Sequence, residues 1–118
     1  MNVKGLVWLG TKTERFSDMV RFYEEVLGLS PDIKETDFAV YRLPGGETVE
    51  VFGPTAGHDH FSTGPVAGFW VDDVPSTRAE MEAKGIDFIG PTDTGGGFSW
   101  AHFRAPDGNV YEITSVPS

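Results

Sequence analysis

The chain lacks cysteine, carries few cationic side chains and contains no long apolar run. With 0 Cys among 118 residues, it has no disulfide and no thiolate ligand, so a metal site would need His, carboxylate or water ligands. Lys and Arg number 9 against 18 Asp and Glu, which gives a formal net charge of −9. This charge argues against nucleic acid as a partner because phosphates would be repelled. Cationic ligands and divalent metals are compatible with it, and so is simple solubility.

No stretch reaches the roughly 18 consecutive apolar residues that a membrane span requires. The first ten residues, MNVKGLVWLG, lack the apolar region and the small-residue cleavage site of a signal peptide. We therefore expect a cytoplasmic protein with no membrane partner. A chain of 118 residues, 39% of them hydrophobic, can bury one ordinary core but not two independent domains. One domain over residues 1–118 is expected.

One turn and one glutamate occur twice. The segment APDGNVYEI (105–113) repeats the pattern of LPGGETVEV (43–51) at an offset of 62 residues, with Pro, Gly, Glu and an aliphatic residue at matching positions. A period near half the chain length is too long for a solenoid and predicts two copies of one supersecondary module. The repeated glutamates are Glu50 and Glu112.

The first copy, residues 1–57, has the pattern of a strand, a helix and three strands. An apolar strand is predicted over 5–10, and apolar residues at three- and four-residue spacing predict a helix over 15–28. Thr13 is a candidate helix cap and Gly28 a candidate stop. Strand-forming residues near 29–35, 37–43 and 47–53 follow, the last two joined by the PGG turn.

The second copy, residues 64–118, repeats that order after a connector at 58–63 that is rich in Gly, Ser, Thr and Asp. A strand over 66–71 precedes a helix that Asp73 and Pro75 open and Gly85 closes. Three strands are predicted next: the segment IDFIG, then FSWAHFR and NVYEITS as a hairpin around the PDG turn. The intervening PTDTGGG is predicted to be a flexible loop.

The segments FYEEVLGL, PGG with VEV, and FRAPDGNVYEI resemble the vicinal oxygen chelate superfamily. This superfamily includes glyoxalase I, bleomycin-resistance proteins, fosfomycin-resistance enzymes and extradiol dioxygenases. The resemblance covers nearly the whole chain and implies an α+β fold in which two βαβββ modules form a cup-shaped mixed sheet. Because two half-cups must meet to close a cavity, within a chain or between chains, we expect a homodimer.

The resemblance also implies four cavity-facing positions where the metal enzymes of the superfamily place ligands. In this sequence they are Trp8, Glu50, Val66 and Glu112. Two are carboxylates, but Trp and Val cannot bind a metal ion, and an ion held by two carboxylates would depend on water for most of its coordination. The glyoxalase and dioxygenase activities are therefore disfavoured.

Strand alternation gives an independent view of the same site. Successive side chains alternate faces, so Glu50 shares a face with Phe52, while Val49 and Val51 face the helix-covered core. In the register that the resemblance implies, the same alternation places all three tryptophans, both glutamates and one histidine towards the cavity. The predicted ligand-binding residues are Trp8, Glu50, Phe52, Val66, Trp70, Trp100, His102 and Glu112.

Each of these residues also has an ordinary structural interpretation. A glutamate on a strand can be a solvated outward residue, a tryptophan can fill a core, and His102 can be a hydrogen-bonded structural histidine. His58 and His60 in the connector are interpreted as surface residues rather than metal ligands.

Two functions remain open. The first is binding, without a cofactor, of a flat and partly cationic small molecule by stacking and charge, as in the bleomycin-resistance proteins. The alternative is a divalent-metal-dependent lyase or dioxygenase-type enzyme in which Glu50, Glu112 and His102 hold the ion. The missing ligands at positions 8 and 66 favour binding, while the repeated glutamate keeps an enzyme open.

Overall fold

A computed structural model describes residues 1–57 and 64–117, so the predicted connector 58–63, with His58 and His60, lies outside the described residues. The described part combines strands and helices, which confirms the α+β class. The strands are β1 Gly5–Lys12, β2 Pro31–Lys34, β3 Phe38–Arg42, β4 Thr48–Phe52, β5 Val66–Trp70, β6 Asp87–Gly95, β7 Phe98–Arg104 and β8 Val110–Ser115. The helices are α1 Phe16–Arg21, which continues as a π-helix over Phe22–Val26, and α2 Val74–Ala83. Among the described residues, no helix is long and apolar enough to cross a membrane.

The chain divides into two compact units. The Glu50 unit is Trp8–Val66, and the Glu112 unit is Met1–Val7 together with Ala67–Ser118. The first seven residues thus belong with the second half of the chain, where the backbone N–H of Lys4 donates to the carbonyl oxygen of Trp70 at 2.8 Å.

Both units have the same strand order and the same mixture of directions. The order is β2-β3-β4-β1 in the Glu50 unit and β6-β7-β8-β5 in the Glu112 unit. In the Glu50 unit β1 is parallel to its neighbour β4, and in the Glu112 unit β5 is parallel to its neighbour β8. All other neighbouring strands within each unit are antiparallel. The registers also match, because Gly10 is paired with Glu50 and Gly68 with Glu112. The prediction of two βαβββ modules with mixed strand directions is confirmed.

The core of the Glu50 unit lies between α1 and the sheet. Val49 and Val51 pack there with Tyr23, Tyr41 and Ala39. Fully burying a valine-sized side chain contributes about 1.5–3 kcal/mol. The predicted alternation along β4 is therefore correct, and Glu50 lies on the face away from the helix.

The first helix differs from its prediction. Five residues, Phe22–Val26, adopt a π-helix, in which Leu27 N–H donates to the Phe22 carbonyl oxygen at 3.0 Å. The α-helical part begins after Arg15, and Thr13 only accepts a hydrogen bond from the Arg15 N–H at 3.0 Å. Gly28 does end the helix, with φ of 71°. The apolar spacing of the sequence does not distinguish an α-turn from a π-turn, because both turn a similar face to the sheet.

The Glu112 unit follows its sequence signals more closely. Asp73 caps α2 by accepting a hydrogen bond from the Ser76 N–H at 2.9 Å, and Gly85 follows the helix with φ of 90°. The segment predicted as a loop, PTDTGGG, is instead mostly strand, because β6 continues to Gly95. Only Gly96 and Gly97 form the turn, with positive φ angles of 59° and 86° that suit a two-residue hairpin.

Candidate functional site

The predicted site residues are divided between the two units. Trp8, Glu50, Phe52 and Val66 belong to the Glu50 unit, and Trp70, Trp100, His102 and Glu112 belong to the Glu112 unit. Each group has its own close contacts.

In the Glu50 unit, the structure joins the first two predicted residues directly. The indole Nε1–H of Trp8 donates a hydrogen bond to Oε1 of Glu50 at 2.9 Å. Both side chains are partly buried. The contact fixes one oxygen of a carboxylate whose orientation the backbone alone would not determine.

A glycine makes this contact possible. Gly10 is two residues after Trp8 on the same strand face and is paired with Glu50 in the register. The six-membered ring of Trp8 lies over Gly10, so a Cβ atom at position 10 would overlap its ring atoms. The absence of a side chain at Gly10 therefore lets the indole lie across the strand and reach the glutamate.

Beside this carboxylate lies an open cavity of about 400 Å³. Two aromatic residues line it from paired positions, since Phe38 is opposite Phe52 in the β3–β4 hairpin. A second carboxylate, Asp37, accepts a hydrogen bond from the Thr55 hydroxyl at 2.9 Å. The residues that line the cavity are Asp37, Phe38, Glu50, Phe52, Thr55 and Ala56.

Burial and the indole act in opposite directions on Glu50. Desolvation raises the pKa of its carboxyl group because the charged form loses water, and the Trp8 N–H lowers it by stabilising the carboxylate. Burial is the larger effect.

In the Glu112 unit, the structure brings together His102 and Glu112. They are paired in the β7–β8 register, both are buried, and His102 Nε2 lies 3.0 Å from Glu112 Oε1. Burial lowers the pKa of His102 to about 4, and Asp93 opposes this shift by its negative charge. The imidazole is therefore neutral at pH 7, which is the form that accepts protons and binds metals.

The other two tryptophans flank one threonine. Thr114 on β8 is paired with Trp70 on β5 and with Trp100 on β7, and its hydroxyl donates to the Ser99 carbonyl oxygen at 3.0 Å. One face of Trp70 is occupied by Lys4, whose ammonium lies 4.2 Å from the ring centroid. Trp70 thus already binds a cation from its own chain.

Val66 is the counterpart of Trp8 in the repeat. Trp8 lies two residues before Gly10, which is paired with Glu50, and Val66 lies two residues before Gly68, which is paired with Glu112. Val66 is fully buried and has no donor to offer Glu112. The partner of Glu112 comes instead from the neighbouring antiparallel strand, as His102.

No three His, Cys, Asp or Glu side chains within residues 1–57 and 64–117 are grouped so that they could hold a metal ion. The donor chemistry agrees with this geometry, because an indole and a valine occupy the positions where the resemblance implies ligands.

The cavity is also lined by four residues that were not predicted from the sequence, namely Asp37, Phe38, Thr55 and Ala56. A signal for Phe38 exists, because counting outward from the PGG turn pairs Phe38 with Phe52. Asp37 and Thr55 lie beyond the ends of the paired strands, where alternation no longer applies.

Solved structures with this fold are similar over nearly the whole chain. A variant of methylmalonyl-CoA epimerase from Streptomyces coelicolor, in complex with 2-nitronate-propionyl-CoA, has a TM-score of 0.76 at 15% identity, and the match covers 99% of this chain and 100% of the epimerase. A glyoxalase/bleomycin resistance protein/dioxygenase superfamily member from Vibrio splendidus 12B01 has a TM-score of 0.69 at 16% identity. The match covers 97% of this chain and 99% of that protein.

A Mn(II)-bound glyoxalase from Novosphingobium aromaticivorans has a TM-score of 0.75 at 23% identity, and the match covers 96% of this chain but 39% of the glyoxalase. Identities this low show the fold and not the activity. A comparison with curated protein sequences gives no match. A family model does match residues 6–113, and this chain therefore belongs to the Glyoxalase/Bleomycin resistance protein/Dioxygenase superfamily.

Proposed function

We propose that this chain is a small-molecule-binding protein that takes a partly cationic, aromatic ligand at Glu50 and uses no metal ion to do so. The observation that carries the proposal is the open cavity of about 400 Å³ beside Glu50. Ligand pockets commonly measure about 300–1,000 Å³ and combine apolar walls with a few polar groups. This cavity has both in one compact unit.

The chemistry of the lining favours a cation with a flat apolar part. Glu50 and Asp37 supply negative charge, and Phe38 and Phe52 supply aromatic surface. A cation near an aromatic ring gains about 0.5–1 kcal/mol at an exposed site and more when it is desolvated. The net charge of −9 would also attract cations towards the protein.

The same lining disfavours an anionic ligand. Among the described residues that line the cavity, none is Lys or Arg. The structurally similar epimerase is in complex with 2-nitronate-propionyl-CoA, and the phosphates of a coenzyme A ligand would need cationic or N–H partners. We therefore propose a different ligand class for the cavity of this chain.

The metal-dependent enzyme remains a second candidate because of one observation in the Glu112 unit. His102 is neutral at pH 7 and lies 3.0 Å from Glu112, so a nitrogen and a carboxylate donor are already adjacent. In this candidate His102 and Glu112 would supply two ligands of a divalent ion, water would supply the others, and the ion would polarise a substrate carbonyl. The donor set gives it less support than the cavity gives to binding.

Titration calorimetry with two probes of similar shape tests the binding proposal. Benzylammonium carries a charge and benzyl alcohol does not, so only the first should gain from Glu50. We expect Glu50→Gln to weaken benzylammonium binding by on the order of 1 kcal/mol, about fivefold, and to leave benzyl alcohol unchanged. Rising salt should weaken benzylammonium binding as charge is screened.

Glu25→Gln is the matched control, because Glu25 is an exposed residue of the helix and contacts Arg21 rather than the cavity. It should leave both affinities unchanged. Equal binding of the charged and neutral probes, or equal affinities in wild type and Glu50→Gln, would contradict the proposal.

A further inference from the structure

We infer that Trp8 is a positioning residue that fixes Glu50, and that the ligand cation must therefore carry N–H donors, as a primary or secondary ammonium, an amidinium or a guanidinium does. The ligand class rests on the proposed function. The role of Trp8 does not, because it concerns a contact within the chain.

The contacts of Trp8 give it a role other than the stacking surface expected from the sequence. Its six-membered ring lies over Gly10, so the backbone occupies one face of the indole. Its single N–H donor is used by Glu50 Oε1 at 2.9 Å. Trp8 thus acts on a ligand through the carboxylate that it holds.

Fixing one oxygen determines what the carboxylate can accept from a ligand. An ionised carboxylate has about four lone-pair positions on its two oxygens. Oε1 accepts from the indole, and Oε2 is the second acceptor oxygen of a side chain that lines the cavity. A ligand that displaces water from this oxygen without providing an N–H leaves a partly buried acceptor unsatisfied, which is unfavourable.

The aromatic rings favour cations without N–H groups, whereas the carboxylate favours cations with them. The contributions of the rings and of the carboxylate can therefore be measured separately. Phe38 and Phe52 attract any cation, and a quaternary ammonium loses less hydration than a protonated amine when it reaches a ring. A cavity that recognised cations through its rings alone would bind quaternary ammonium at least as well. Tighter binding of an N–H cation than of a quaternary ammonium would therefore indicate a hydrogen bond to the fixed carboxylate.

The experiment compares benzylammonium with benzyltrimethylammonium by calorimetry at low salt in wild type, Trp8→Phe and Glu25→Gln. We expect wild type and Glu25→Gln to prefer benzylammonium by about tenfold, since a hydrogen bond to a charged group is a strong one. In Trp8→Phe the ring remains and the donor is lost, so the preference should fall by several-fold while benzyltrimethylammonium still binds. An unchanged preference in Trp8→Phe overturns the inference.

A second measurement needs no ligand. In a ¹H–¹⁵N spectrum, the indole N–H of Trp8 is identified through the neighbouring protons of its six-membered ring, which lies over Gly10, so the assignment does not require Trp8→Phe to fold. Glu50→Gln should move this resonance and leave those of Trp70 and Trp100 in place. A Trp8 resonance that does not move overturns the positioning role.

The two proposals fail differently. If neither cation binds wild type better than benzyl alcohol, the proposed function and the ligand class are both wrong, whatever the spectrum shows. If benzylammonium binds but benzyltrimethylammonium binds wild type equally well, the proposed function stands and the N–H requirement is wrong.

Discussion

The buried histidine of the Glu112 unit makes stability depend on pH in a predictable direction. Its pKa is lowered from 6.5 to about 4 by burial, so the folded state favours neutral imidazole and the unfolded state takes up the proton first. The stability that this provides is present in full above pH 6.5 and is lost as the pH falls towards 4. The perturbation that isolates it is His102→Gln, which keeps a polar side chain beside Glu112 and removes the titration.

The magnitude follows from the two pKa values. Each pH unit between them corresponds to about 1.4 kcal/mol, so lowering the pH from 7.5 to 4 should remove about 3 kcal/mol of unfolding free energy through His102 alone. Small domains have about 5–15 kcal/mol in total. This one side chain would therefore account for a large share of the acid sensitivity of the protein.

The assay is urea unfolding of wild type and His102→Gln at pH 7.5, 6, 5 and 4. The free-energy difference, wild type minus variant, should decrease by about 3 kcal/mol across that range, because titrations elsewhere in the chain cancel between the two proteins. A difference that stays constant within the extrapolation error of about 10–15% refutes the reasoning. It would mean that the charge of Glu112, 3.0 Å away, compensates the imidazolium for its burial.

Three further expectations concern metals, the second helix and assembly. Micromolar Zn²⁺ or Mn²⁺ should scarcely raise the melting temperature, since a weak metal site stabilises the folded state little. The metal-dependent alternative would be favoured by a rise above about 5 °C, roughly 1 kcal/mol, that disappears in Glu112→Gln. Asp73→Ala should lower the unfolding free energy in urea through loss of the bond to Ser76, while an equal loss in Asp73→Asn would argue against capping. Sedimentation equilibrium at micromolar concentration should show a homodimer of the 12.9 kDa chain. A dimer can bury exposed apolar side chains, and Val26 and Leu27 are 70% and 52% exposed. A single species of 12.9 kDa would contradict this expectation.

The sequence predicts the order of the elements because each boundary has a local chemical signal. Asp73 and Gly85 bound the second helix, and the PGG turn determines which residues face each other across the first hairpin. The face on which Glu50 lies follows from simple alternation along one strand. These inferences need no knowledge of distant partners.

The contacts at the site could not be predicted in this way because they join distant segments. Trp8 and Glu50 are 42 residues apart, and their contact depends on a parallel register that no turn specifies. The cavity depends on Asp37 and Thr55, whose hydrogen bond joins segments that flank the hairpin. The extent of β6 was missed for another reason, because PTDTGGG has the composition of a loop and only its pairing with β7 makes it a strand.

The two repeated glutamates have acquired their partners from different strands. Glu50 is held by Trp8 from the parallel neighbour, and Glu112 lies against His102 from the antiparallel neighbour. The two halves share one strand order, and a single position in each half, 8 or 102, makes the environments of the two carboxylates unlike. Each half can then accept substitutions at its own partner without disturbing the other carboxylate. Duplicated folds of this kind can thus evolve separate specificities in their halves while the strand order of both is retained.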